Sequence, residues 1–228
     1  MLRLYRMIVA AAVCPHPPLL VPQLAAGAAA ELDELRQACD RVVERLRDAD
    51  ADALVALGGD GRAYHDFAPW GVDVRTDGGV ALPLSLLVGD WLLARHGSQA
   101  SERIVVPGGA PTAICAEMGV QLAADGRRLA LLVLGDGSYR RGVRAPGYDD
   151  PRAAPYDRAV ADALATADTE TLLGLDAALS ADLGAAGRAA WQVLASAVHA
   201  TGGRWEAELH HEAAPYGVAY FVASWWRS

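Results

Sequence analysis

The sequence predicts an α/β domain built on a central, largely parallel sheet with helices on its faces. Three observations carry that reading. Continuous apolar runs of strand length recur along the chain, segments with apolar residues at helical spacing lie between them, and Gly-Asp turn signals close two of the runs.

Taken in order, Ile8 to Val13 reads as a buried strand closed by Pro15. From Ala25 to Asp48, the residues Leu32, Leu35, Cys39, Val42, Val43 and Leu46 recur at helical spacing between acids and arginines. Ala53 to Leu57 is a second buried strand, running into Gly58-Gly59-Asp60-Gly61. A helix over Leu82 to Arg95 is stopped by Gly97, and Arg103 to Val106 is strand-like. Thr112 to Ala124 is helical, and Leu129 to Leu134 is another strand, running into Gly135-Asp136-Gly137. Residues 143–155 are dense in Gly and Pro and read as an irregular loop. Helices are expected over Ala154 to Ala167 and Ala186 to Ala200, followed by strands over Trp205 to His211 and Tyr216 to Trp225. No repeat or long linker divides residues 1–228, so one domain is expected.

Composition narrows the function. With 53% hydrophobic and 21% charged residues the chain has ample core and no bias towards disorder. The net charge of -8 is spread along the chain, which disfavours nucleic acid as a partner. All 20 basic residues are Arg, which excludes a Schiff-base lysine and the lysine of a P-loop. Asn is also absent, which excludes N-glycosylation and a Cys-His-Asn triad. Cys14, Cys39 and Cys115 are unclustered, so a reducing cytoplasm is expected and no thiolate zinc site. Leu2 to Arg6 precedes an apolar run that lacks a signal-peptide cleavage site, and no run is long enough to span a membrane. Trp225 and Trp226 suit either a core edge or a subunit contact in a homo-oligomer.

Sites in such sheets gather where strands end. After the first strand, His16 stands between Pro15 and Pro17. It is either a preorganised metal ligand or a capping histidine in a rigid turn. Near the end, His210-His211-Glu212 lies on a strand. Simple alternation puts His210 and Glu212 on one face and His211 on the other, with Glu212 facing a pocket or water. His96 and His199 sit near helix ends and read as structural.

The opening IVAAAVCPHPPLL (Ile8 to Leu20), together with the closing EAAPYGVAYFVA (Glu212 to Ala223), resembles the LigB-type, class III extradiol dioxygenase superfamily, which includes the Memo-like proteins. The likeness covers both ends of the chain and, through the middle, the order of elements only. It implies a LigB-like fold and non-haem Fe(II), or another divalent metal, held by two histidines and a glutamate. The substrate would be a small dihydroxylated or aminohydroxylated aromatic cleaved with dioxygen. Carried over by position, His16 is the first ligand and Glu212 the carboxylate. At the second-ligand turn this sequence has Gly59-Asp60-Gly61. His65, a few residues on, is the preferred second ligand; Asp60 is the alternative, and loss of that ligand is a third reading. Leu134-Gly135-Asp136-Gly137-Ser138-Tyr139 matches the segment that carries the family's acid/base histidine, with Tyr139 in its place. An ordinary phenol of pKa about 10 is a poor base at neutral pH. Two functions follow as expectations: a ring-cleaving dioxygenase, or a Memo-like domain that binds a metal, ligand or partner without ring cleavage.

Overall fold

The computed structural model describes residues 7–74 and 79–228. In chain order the elements are β1 (Met7–Cys14), α1 (Pro22–Ala25), α2 (Asp33–Arg47), β2 (Ala53–Gly59), β3 (Ala63–Tyr64), β4 (Leu82–Pro83) and α3 (Leu84–Ala94). There follow β5 (Glu102–Val106), α4 (Thr112–Ala123), β6 (Arg128–Leu134) and α5 (Ala153–Thr166). The chain continues through α6 (Thr169–Leu173), α7 (Ala177–Leu183), α8 (Arg188–Thr201), β7 (Trp205–Ala213) and β8 (Tyr220–Arg227).

Six strands form one sheet in the order β5-β2-β6-β1-β8-β7, and β3 pairs separately with β4. The first four of that order are parallel, and β8 and β7 complete the sheet antiparallel. β1 and β6 sit at the centre and are apolar almost throughout, as strands covered on both faces must be. Alternate residues of each strand enter one of two core layers. Ala10, Ala12, Cys14, Leu132 and Tyr220 face α2 and α3. Ala11, Val13, Val133, Phe221 and Trp225 face α5 and α8.

Helix α2 forms because Leu35, Ala38, Cys39, Val42, Val43 and Leu46 make one apolar stripe, with acids in its first turn and arginines in its last. Its expected first two turns are instead a 3-10 segment, Ala26–Leu32. The glycine and alanines there carry no large side chain to bury, so no apolar stripe draws those turns onto the sheet. Behind β5, the buried Arg188 at the start of α8 bonds Gly108 O (2.6 Å), Ala110 O (2.8 Å) and Gln192 Oε1 (2.8 Å), pinning the β5–α4 loop. Of the terminal tryptophans, Trp225 is core, its Nε1 donating to Leu164 O (2.7 Å), whereas Trp226 is half-buried beneath the Arg45 guanidinium. Among the described residues no helix is long and apolar enough to cross a membrane. The sheet and its two helical layers form one α/β domain.

Candidate functional site at the strand ends

The connections set where a site can form. α2 and α3, which follow β1 and β2, pack on one face of the sheet, whereas α5 and α8, after β6, pack on the other. β6 lies between β2 and β1, so its chain departs opposite to both neighbours. Such a reversal at the carboxyl ends of the strands is the usual place for a ligand in an open α/β sheet.

His16 and Asp136 meet there. The backbone N–H of His16 donates to Asp136 Oδ1 at 2.8 Å, and its Nδ1 lies 3.6 Å from the same oxygen. The longer distance is an electrostatic contact, not a hydrogen bond. Both side chains are mostly buried, 14% and 15% exposed, and Nδ1 has no hydrogen-bond partner. Burial raises the Asp136 carboxyl above the usual carboxylate range, and the charge and N–H of His16 only partly offset it. Tyr220, on β8, shares this side of the sheet. Burial raises its phenol, and the nearby Asp136 carboxylate and Tyr216 raise it further. Tyr216 in turn donates its hydroxyl to Glu31 (2.9 Å).

The chain ends do adjoin, since β8 pairs with β1 and β7 with β8. Glu212 nevertheless does not join His16. It stands opposite Phe221, so it faces the α5 and α8 layer, where its carboxylate takes a hydrogen bond from Arg158 on α5 (3.1 Å). Tyr220, next to Asp136, belongs to the other face.

A register shift between Leu209 and His211 also overturns the alternation expected for this strand. His211 stands opposite Val222, on the α2 side, and His210 bonds Ser224 Oγ (2.8 Å) on that side as well. Thus Glu212 is separated from both histidines, not paired with His210. Burial lowers the affinity of both imidazoles for a proton.

The second-ligand candidates are placed apart too. Asp60 is exposed, and its Oδ1 accepts from the backbone N–H of Gly108 (2.9 Å). His65 is exposed on a turn after β3, which is anchored by the buried Phe67 and by Tyr64 against Trp70 (ring centroids 4.6 Å apart). Among the described residues no group of three or more His, Cys, Asp or Glu is placed to hold a metal ion. As arranged, His16, His65 or Asp60, and Glu212 do not fit the facial triad that the family resemblance implies: Glu212 is paired with Arg158 and faces the other layer.

Tyr139 is half-buried in the opposite layer. Its N–H donates to Leu183 O (3.1 Å), and its ring lies between Gly184 and Gly147, where a Cβ on either glycine would enter the ring. No hydrogen bond or ion pair joins it to His16 among the described residues. The preceding residue ties down the loop. Ser138 donates its N–H to Asp157 Oδ1 (2.9 Å) and its Oγ–H to Oδ2 (2.6 Å), both side chains being fully buried.

His96 follows α3, and a side chain holds it rather than the helix dipole alone. Its Nε2 meets Asp40 Oδ1 at 2.9 Å, beside the paired contacts of Arg95 with the same carboxylate (3.1 and 2.8 Å).

Sequence reasoning named His16 but missed its partners. Asp136 stands in a Gly-Asp-Gly turn and in the segment that resembles the family's acid/base loop, and its position after a central strand is the available signal for a site role. Tyr220 carried none, because its face depends on register.

No family model matches the chain, and no curated protein does. Among solved structures, the chain is similar to the crystal structure of the uncharacterized protein JW3007 from Escherichia coli K12, with 13% sequence identity and a TM-score of 0.48. The match covers 95% of this chain and 99% of that one.

Proposed function

We propose that this chain is a divergent LigB-like domain that binds a small ligand at the strand ends beside His16 and does not cleave aromatic rings. The observation that carries the reading is the division of the expected ligand set. His16 pairs with Asp136 on one side of the sheet, and Glu212 pairs with Arg158 on the other. His16 then serves as a hydrogen-bonding group oriented by its carboxylate neighbour, with Tyr220 as a second polar group at the same strand ends. Three buried free cysteines suit a cytoplasmic location.

Anaerobic loading with Fe(II), followed by equilibrium metal analysis and oxygen uptake with catechols and aminophenols, tests the proposal. The expected result is no stoichiometric iron, unchanged metal affinity in His16→Ala, and no ring-opened product. Ring-opening activity that disappears in Glu212→Gln would sink it and restore the dioxygenase reading.

A further inference from the structure

The segment between β6 and α5 is closely tied yet presents two large side chains to solvent. Asp150 N–H bonds Arg140 O and Gly147 N–H bonds Tyr139 O (both 3.1 Å), while Gly142 N–H bonds Asp149 Oδ1 (2.7 Å). Arg141 N–H bonds Gly217 O (3.0 Å), and Ala145 lies tight against Gly217. The closed ends and internal bonds are those of an Ω-type loop, a class that is frequently functional. At its tip Val143 is 95% and Tyr148 85% exposed. Tyr148 also holds φ at 62°. Left-handed backbone is unfavourable for a residue with a Cβ, and an exposed ring gains nothing within the chain to offset it.

Beside the tip lies an open hollow of about 540 Å³, lined by Arg141, Gly142, Asp149, Asp150, Ala154 and Ala214. The loop therefore carries a projection and a recess side by side. Its charges are divided as well: Arg140, Arg141 and Arg144 precede the tip and Asp149 follows it, while Asp150 is already held by Arg152 (2.8 Å). Arg144 is exposed and makes no ion pair or hydrogen bond among the described residues.

We infer that this loop is a self-association surface whose occupant is a second copy of the chain. A two-fold axis requires one patch that complements itself, so that residue i meets j and j meets i. Reciprocal insertion of Tyr148 into the neighbouring hollow satisfies that requirement and covers Val143. The same rotation brings Arg144 of one loop against Asp149 of the other. A foreign partner would explain the exposed tyrosine, but not a recess and the opposite charge on the same loop.

Sedimentation equilibrium on wild type, Tyr148→Asn and Arg144→Glu tests the inference. Asn enters the left-handed region readily, so Tyr148→Asn removes the ring without disturbing the backbone. The expected result is a wild-type dimer whose dissociation constant rises at least about tenfold in each variant, with monomer thermal stability unchanged or higher in Tyr148→Asn. A wild type that stays monomeric at about 100 µM, near the weak end of useful affinities, overturns the inference and leaves Tyr148 to another partner. A dimer that both variants leave intact overturns it equally.

Discussion

Replacing Asp157 separates the contribution of its hydrogen bonds from the cost of its charge. The side chain is fully buried on α5 and holds Ser138 through two bonds, of 2.9 and 2.6 Å. Burial raises its carboxyl; Ser138 and the Arg141 guanidinium, 3.9 Å away, oppose that rise, and Glu212 adds to it. In Asp157→Ala the buried Ser138 N–H and Oγ lose their acceptor, at about 1–3 kcal/mol each. A loss of about 3–5 kcal/mol is expected once the small cavity is added. At 2–4 °C per kcal/mol for a domain of this size, the melting temperature falls by roughly 6–20 °C. Asp157→Asn keeps an acceptor for the N–H, offers a donor to the rotatable hydroxyl and removes the desolvated charge. Its cost at neutral pH is about 1 kcal/mol or less.

The pH dependence has a definite sign. The folded-state pKa is raised, so the contribution of this group is fully present below the unfolded value of about 3.9 and is lost as pH rises through the folded one. Urea denaturation of wild type and Asp157→Asn should therefore show wild type gaining on the variant as pH is lowered. An Asn variant as unstable as the Ala variant at neutral pH, or a wild-type advantage that grows with rising pH, would refute the reasoning.

Three further outcomes are expected. Gly184→Ala places a Cβ in the Tyr139 ring at a backbone φ of 64° and should cost at least about 2 kcal/mol in thermal unfolding; unchanged stability would mean that the ring is not clamped. Arg188→Ala strips the donor from Gly108 O, Ala110 O and Gln192, and should cost about 3 kcal/mol, with faster hydrogen exchange in residues 107–111. For Asp40, burial raises the carboxyl, but hydrogen bonds from Arg95 and His96 outweigh it and hold the group below its usual range. Its contribution is present above the unfolded pKa and is lost as pH falls through the folded one, so Asp40→Asn should flatten the acid limb of a stability profile.

The sequence carried the sheet well because β1, β2 and β6 are continuous apolar runs whose burial on both faces leaves a plain signal. It hid α6 and α7, each too short for a periodic stripe, although their starts were marked. Asp168 and Asp176 cap them, accepting from Thr171 N–H (3.0 Å) and Leu179 N–H (2.7 Å). His16 was legible from its prolines and its place at a strand end. The face of Glu212 was not, because a single extra residue near His210 reverses a period-two reading, and only strand pairing reveals it. Tyr139 stands out by its place in the motif, but one of the two glycines that enclose its ring, Gly184, comes from a distant part of the chain.

The insertion of β8 beside β1 has a consequence for synthesis. Met7–Cys14 leaves the ribosome early, yet its two neighbours in the sheet are supplied by residues 128–134 and 220–227. An oily ribbon with both edges bare must therefore wait until residues 128–134 and then 220–227 have been made, a long delay at 5–20 residues per second. Chaperone dependence and aggregation during expression should accordingly track the arrival of the β7–β8 hairpin, and a nascent chain stalled before residue 205 should be far more prone to self-adhesion than one extended past residue 227.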